Sequence, residues 1–148
     1  MPGGYGGERV MHPKLYAYAV VVWVPLSVLA ILNGIVRNST YGPLLGEQAG
    51  HLLSSLVLIA IVLAVAYVFL WLARVPYGAG DLLVVGGIWL LLTVAFEFLF
   101  GHYVAGHPWS RLLADYNLLR GRVWALVLLA IFVAPLIAGK LARRGMPQ

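Results

Sequence analysis

The sequence predicts an all-α integral membrane protein, a bundle of four transmembrane helices with a short outer interfacial amphipathic helix between the third and the fourth. Three observations predict it. Of the 148 residues, 62% are hydrophobic and only 10% are charged, whereas soluble domains carry about 25% charged residues. The mean hydropathy is +0.92. Four separate stretches each supply the roughly 20 apolar residues that a spanning helix needs.

The same composition excludes several classes of protein. Ten Lys and Arg with five Asp and Glu cannot cover a soluble globule of this size, which excludes a cytosolic enzyme, a secreted module and a disordered chain. Cys is absent, which excludes disulfides and thiolate metal sites. The formal net charge is +5, but the basic residues are scattered at the ends of apolar runs, so we expect no nucleic-acid partner.

The predicted spans cover residues 15–36, 52–73, 82–101 and 123–142. A transmembrane β-barrel is excluded because its strands would alternate apolar and polar residues, and residues 56–72 show no such alternation. Residues 1–12 are rich in Gly and lack an apolar face. We therefore predict a disordered tail over residues 1–12 and one transmembrane domain over residues 13–148.

Proline residues indicate where the first two helices begin and where the first one is kinked. Pro13 lies where the first helix should begin, a position at which a missing N–H costs nothing. Pro25 lies inside the first span and should kink it. Pro43 is expected to start the second helix early, which would add an outer extension over residues 44–51.

The third and fourth spans carry similar signals. Asp81 follows the turn-rich residues 76–80 and is a candidate N-cap for the third helix. Pro135 lies inside the fourth span and should kink it, which membrane helices tolerate when neighbouring helices compensate.

Residues 102–122, between spans three and four, carry a helical pattern. One face of a helix would hold Trp109, Leu112, Leu113, Tyr116 and Leu119. We predict an amphipathic helix over residues 108–119 that lies in the membrane interface. An ordinary surface helix and a lid over an outer cavity remain as alternatives.

Charge asymmetry predicts the orientation. Four spans place both termini on one side, which would carry Arg9, Lys14, Arg74, Lys140, Arg143 and Arg144. The other side would carry Arg37, Arg111, Arg120 and Arg122. Because cytoplasmic loops carry an excess of Lys and Arg, we predict a multi-pass protein of the cell membrane with both termini cytoplasmic. We interpret Tyr16 and Trp23 as anchors near the inner interface.

Glu97 is the most informative residue, because an ionisable group within a span is costly. It lies four residues before Gly101, roughly 6 Å inside the predicted end of span three. Polar and small residues mark helix contact faces, and Arg37 lies at a matching depth on such a face of span one. We therefore predict a buried Arg37–Glu97 ion pair. A Glu97 that handles substrate or protons, or one that extends to the outer surface, is an alternative.

The other polar residues gather at the same outer end. The predicted cluster comprises Asn33, Arg37, Glu47, His51, Glu97, His102, Asp115, Asn117 and Arg120. It predicts an outward-facing polar contact surface or a pocket roofed by the amphipathic helix. The expected pocket walls are Asn33, Arg37, His51, Glu97, His102 and Asp115. No pair of histidines shares a helix face at the spacing of metal ligands, so we expect neither a metal nor a cofactor.

Two segments carry a resemblance to known proteins. FEFLFGHY at residues 96–103 and ADYNLLRGR at residues 114–122 resemble a pattern in small, uncharacterised prokaryotic four-span integral membrane proteins. The resemblance covers about the last third of the chain. It implies no activity, but it implies that Glu97, Asp115, Asn117 and Arg120 belong together. The Arg- and Asn-rich motif of membrane glutathione transferases and the cysteines of quinone-linked disulfide oxidases are missing.

Three functional classes fit these patterns. The sequence favours a non-catalytic accessory or homo-oligomeric membrane protein, in contact with lipid or a larger membrane complex, because no catalytic motif is evident. A transporter or small-molecule binder that uses Arg37 and Glu97 is the first alternative, although the internal repeats typical of many transporters are absent. A small membrane enzyme that acts on a lipid or quinone head group is the second.

Overall fold

The structure is a computed structural model that describes residues 12–114, 116–117 and 123–145, and every regular element within them is helical. The described residues form six α-helices and one π-helical turn, in this order: α1 (Pro13–Ser39), α2 (Tyr41–Leu45), α3 (Glu47–Ala73), α4 (Ala79–Leu99), the π-helical turn (Phe100–Val104), α5 (Trp109–Ala114) and α6 (Trp124–Gly145). Residues 1–11 of the predicted disordered tail lie outside the described residues, so that part stays a prediction.

Four of these helices are long and apolar enough to cross a membrane: Pro13–Ser39, Glu47–Ala73, Ala79–Val104 and Trp124–Arg144. The predicted fold class, an all-α bundle with four candidate spans, is therefore confirmed. The chain is a small multi-pass membrane protein. Pro25 and Pro135 both lie inside their helices, α1 and α6.

In the bundle, α3 and α4 each pack against both α1 and α6. Trp89 of α4 is fully buried in the core and donates its indole N–H to the Ala19 carbonyl of α1 at 2.8 Å. Large apolar side chains such as Val21 and Leu91 are exposed. They form the surface that lipid covers, because lipid tails are as apolar as the side chains themselves.

The two ends of the bundle differ. We call the end with α2, the π-helical turn and α5 the α5 end. The opposite end, which holds His12, the α3–α4 loop and the last turn of α6, is the terminal end. Helices α1 and α4 run from the terminal end to the α5 end, and α3 and α6 run back.

The connection between α1 and α3 differs from the prediction. Pro43 does not start the second span; it lies inside the separate helix α2, and α3 begins at Glu47. Gly46 separates the two helices with φ +84°, a backbone conformation that glycine adopts without strain. The chain therefore reverses at Gly46 and cannot continue as one helix from Pro43.

The predicted amphipathic helix is shorter in the structure. α5 covers Trp109–Ala114, and the turn at Tyr116 and the irregular Asn117 follow it, while Leu119 lies outside the described residues. Leu112 packs inward beside Gly101, but Leu113 is 62% exposed. The predicted apolar face is thus only partly turned toward the bundle.

Candidate functional site

A cavity of about 360 Å³ lies between α1, α3, α4 and α6 in the α5 half of the bundle. Most of its lining is apolar, with Leu26, Leu58 and Ile131 among the side chains. The polar side chains are contributed mainly by α1, α4 and the loop after the π-helical turn. Apart from two indole N–H groups, they are Ser27, Thr93, Glu97 and His107.

Glu97 is the one acidic side chain among the described residues that line the cavity. Its Oε2 accepts a hydrogen bond from the Tyr116 hydroxyl at 2.7 Å and another from the Trp124 indole N–H at 2.8 Å. Tyr116 follows α5, and Trp124 is the first residue of α6, so one carboxylate of α4 ties three parts of the chain together. Hydrogen bonds to a carboxylate are stronger than those between neutral groups, so these two donors hold the Glu97 side chain in place beside the cavity.

Aromatic side chains of α1, α4 and the π-helical turn form one wall of the cavity. The Trp23 indole N–H donates to Thr93 Oγ1 at 3.0 Å, and its ring lies edge-on to Phe96 with the centroids 5.8 Å apart. Phe96 stacks on Phe100 at 5.2 Å. Trp23 is therefore part of the cavity and not the interfacial anchor that the sequence predicted. A buried indole N–H needs an acceptor, and Thr93 on the neighbouring helix provides it.

The loop between the π-helical turn and α5 forms the rim of the cavity. The His107 N–H donates to the Gly101 carbonyl at 2.8 Å, and the His107 carbonyl lies 2.9 Å from His102 Nδ1. Because a carbonyl can only accept, His102 carries a proton on Nδ1. These two bonds fix the loop over the π-helical turn, with the half-buried His107 side chain toward the cavity.

The predicted Arg37–Glu97 ion pair was wrong. Arg37 Nε donates to Asn38 Oδ1 at 3.0 Å, and its Nη1 lies 3.2 Å from His51 Nδ1, whereas Glu97 accepts from Tyr116 and Trp124. The last turn of α1 is held between α2 and α3, where Gly42 and Gly50 pack closely against Arg37. The guanidinium therefore lies toward α3 and not toward α4.

Glu97 also lies farther from the end of its helix than the sequence indicated. The helix does not end at Gly101 but continues through the π-helical turn to Val104. Seven residues beyond Glu97 correspond to about 10 Å of helix, compared with the roughly 6 Å expected from an end at Gly101.

The rest of the predicted cluster falls into separate local groups. Asn33 donates to the carbonyl and hydroxyl oxygens of Ser54, both at 2.9 Å. His102 stacks on Trp109 with the ring centroids 3.9 Å apart. Glu47 and Asn117 are exposed.

Asp115 and Arg120 lie outside the described residues. Of the predicted pocket walls that the structure describes, Glu97 alone lines the cavity. Arg37, Asn33, His51 and His102 lie elsewhere at the same end of the bundle.

A second polar group, missed from the sequence, lies at the terminal end. Asp81 Oδ1 accepts from the Tyr16 hydroxyl at 2.7 Å, and its Oδ2 accepts from the Gly78 N–H at 2.8 Å. His12 Nε2 lies 4.0 Å from the same Oδ2. Asp81 is not the N-cap as predicted, because α4 already begins at Ala79 and Gly78 is the N-cap. An acidic residue three positions after the cap is the signal that could have shown this.

Comparisons with known proteins add nothing to this picture: no family model, no curated protein and no solved structure matches the chain. Within the residues that the structure describes, no three His, Asp or Glu side chains gather in a way that could hold a metal ion. The function therefore has to be argued from the cavity itself.

Proposed function

We propose that this protein binds an amphipathic small molecule within the membrane, in the cavity beside Glu97. The observation that carries the proposal is an apolar cavity of about 360 Å³ with one oriented carboxylate in its wall. Ligand pockets typically have volumes of about 300–1,000 Å³, with mostly apolar walls and a few well-placed polar groups. The Glu97 cavity fits this description.

The polar groups define the head group of the ligand. A carboxylate accepts hydrogen bonds and attracts cations, and Glu97 is the one charged side chain among the described cavity residues. His107 adds an imidazole, which can donate or accept. We therefore expect a head group that donates hydrogen bonds, such as an amine, an alcohol or a phenol, and a tail that packs against the apolar lining.

The rim residues indicate the route of entry. Ile31 of α1 and Phe100 after α4 line the cavity, and both are exposed on the surface that lipid covers. Ala105, also exposed, completes the rim at the α5 end. A ligand with an apolar tail would enter from the bilayer between α1 and α4.

This proposal modifies the binder alternative of the sequence. That alternative used Arg37 together with Glu97, but Arg37 lies against His51, so the proposed site relies on Glu97 and His107 instead. An accessory or oligomeric role is compatible with the same cavity and stays a prediction of the sequence.

Tryptophan fluorescence tests the proposal directly, because Trp23 and Trp124 line the cavity. The purified protein in detergent is titrated with a terminally brominated long-chain amine, the matching alcohol and the matching fatty acid. Bromine quenches nearby tryptophans. We expect saturable quenching by the amine and the alcohol, and weaker quenching by the fatty acid, whose carboxylate is repelled by Glu97.

Two matched variants separate binding from partition into the micelle. Ala30 lines the cavity, and Ala30→Phe should fill it and remove the saturable component. Ala95→Phe adds the same ring on the exposed face of α4 and should leave the saturable quenching unchanged. Equal quenching curves for both variants, or a linear response in the native protein, would contradict the proposal.

The head-group assignment has its own variant. Glu97→Gln keeps an acceptor for Tyr116 and Trp124 but removes the charge. The ammonium group of the amine forms an ion pair with the carboxylate as well as a hydrogen bond, and the amide of Gln replaces only the hydrogen bond, so the amine should bind about tenfold more weakly or worse. The alcohol should lose much less.

A further inference from the structure

A second concave surface lies at the terminal end, far from the Glu97 cavity. We call it the Arg74 groove; its volume is about 550 Å³, and it is formed by the last turn of α3 and the loop after it. Its lining residues are Leu70, Trp71, Leu72, Arg74, Val75, Pro76 and Tyr77. Trp71 is 57% exposed and Leu72 is 61% exposed, so the groove is continuous with the apolar surface of α3.

Arg74 occupies an unusual backbone position. It is the C-cap of α3 with φ +46°, the one positive φ of a non-glycine residue within the described chain. Glycine is the usual residue in this left-handed conformation at a helix end. An exposed arginine here places a guanidinium at the end of the Trp71 and Leu72 surface.

A second arginine reaches the same loop from α6. Arg143 Nη2 donates to the Tyr77 carbonyl, and its guanidinium carbon lies 5.0 Å from the centroid of the Tyr77 ring. Tyr77 itself lines the Arg74 groove. Arg74 at the end of α3 and Arg143 of α6 therefore both lie beside this loop.

The positive charge at this end is not compensated by the described residues. The basic residues there are Lys14, Arg74, Lys140, Arg143 and Arg144. The one described carboxylate at this end, Asp81, is held by Tyr16, Gly78 and His12. Within the described residues, no carboxylate forms a salt bridge with Arg74 or Arg143.

We propose that the Arg74 groove binds an anionic phospholipid, with Arg74 at the phosphate, Arg143 on Tyr77 as a second positive charge at the edge of the groove, and an acyl chain along Trp71 and Leu72. Guanidinium groups match phosphate oxygens in a bidentate geometry, and exposed Trp residues favour the interface between head groups and hydrocarbon. A free phosphate ion would use the arginines but would leave Trp71 and Leu72 without a role. The combination of charge and apolar surface therefore points to a lipid.

Native mass spectrometry of the full chain in detergent tests this site. The protein is mixed with equal amounts of phosphatidylglycerol and phosphatidylcholine that have the same acyl chains. The native protein should retain phosphatidylglycerol about fivefold more than phosphatidylcholine for each arginine that contacts the head group. Equal retention of the two lipids would overturn the proposal.

Variants at position 74 make the test specific. Arg74→Gly suits the positive φ and should fold normally, and it should lower the preference for phosphatidylglycerol about fivefold. Arg74→Lys keeps the positive charge and should retain most of the preference for phosphatidylglycerol. Arg111→Gln removes an exposed arginine of α5 at the opposite end and should change nothing.

Inorganic phosphate distinguishes a lipid site from a simple anion site. Phosphate at millimolar concentration should leave the bound phosphatidylglycerol in place, because it lacks the acyl chain that contacts Trp71 and Leu72. Displacement of the lipid by phosphate, or an unchanged preference in Arg74→Gly, would overturn the proposal.

Discussion

Gly86 sets the distance between α4 and α6. A Cβ at this position would overlap the carbonyl oxygen of Phe132 and lie 2.9 Å from its carbonyl carbon, and backbone atoms cannot move aside as a flexible side chain can. Close approach of this kind matters in a membrane because helix association there depends on packing and not on burial from water.

Gly86→Ala should therefore destabilise the bundle by about 1–3 kcal/mol through overpacking, measured as thermal unfolding in detergent. Gly87→Ala is the matched control, because a Cβ at the adjacent glycine meets nothing within 4 Å. It should be neutral or slightly stabilising, since Ala favours helix more than Gly does. Similar unfolding temperatures for both variants would contradict this account of the contact.

The sequence identified Glu97 but not its partners. A carboxylate within a span is conspicuous because of its cost. Its neighbours depend on how each helix is rotated, and one residue of helix corresponds to about 100°. Spacing alone places Thr93 on the Glu97 face of the third span, and both line the cavity. Trp23 and Trp124 could not be assigned in this way, because indoles occur at interfaces as well as in bundles.

At the scale of the helices, Asn33 links α1 to α3. Its Nδ2 donates to both the backbone carbonyl and the hydroxyl of Ser54, each at 2.9 Å, and Ser54 is only 3% exposed. Hydrogen bonds between membrane helices contribute about 0.6 kcal/mol on average and up to about 1.7 kcal/mol. This contact fixes the register of the two helices near the α5 end.

Asn33→Ala should lower the free energy of unfolding by about 1 kcal/mol, since both bonds are lost. Ser54→Ala should cost less, because the backbone carbonyl still accepts from Asn33. Ser55→Ala, at the half-buried neighbour, is the control and should have no effect on this contact. The Asn33 and Ser54 substitutions combined should cost no more than Asn33→Ala alone; strictly additive losses would argue against a direct bond.

The four membrane-spanning helices were predictable from the sequence, and the short helices were less so. A spanning helix needs only its own run of apolar residues, so α1, α3, α4 and α6 follow from local sequence. The break at Gly46 depends on a single positive φ. The helix continues past α4 to Val104 as a π-helical turn, in which Gly101 packs against Leu112. Neither feature is visible in a pattern of hydrophobicity.

At the scale of the whole molecule, the two ends differ in charge as well as in shape. The α5 end carries the cavity with Glu97, and the terminal end carries the Arg74 groove with its basic residues. Both proposed sites open toward regions that lipid occupies, one beside an aromatic wall and the other beside Trp71. Each can be tested without the other, because their variants lie at opposite ends of the bundle.

This charge asymmetry predicts an orientation in the membrane. The terminal end has five described basic residues, and Arg74, Lys140, Arg143 and Arg144 lie at or beside the ends of α3 and α6. Positive residues near span ends favour the cytoplasmic side, so the terminal end should be cytoplasmic and α2 and α5 should lie outside.

Cysteine labelling can test the orientation cleanly, because the chain has no cysteine of its own. Thr40 is exposed between α1 and α2, and Gly80 is exposed in the first turn of α4 with space for a side chain. In intact cells, a membrane-impermeant maleimide should label Thr40→Cys but not Gly80→Cys. Gly80→Cys should react only after the membrane is permeabilised, since it lies on the side with the arginines. Labelling of Gly80→Cys but not of Thr40→Cys in intact cells would show that the topology is the opposite of the one predicted. The Arg74 groove would then lie in the outer leaflet.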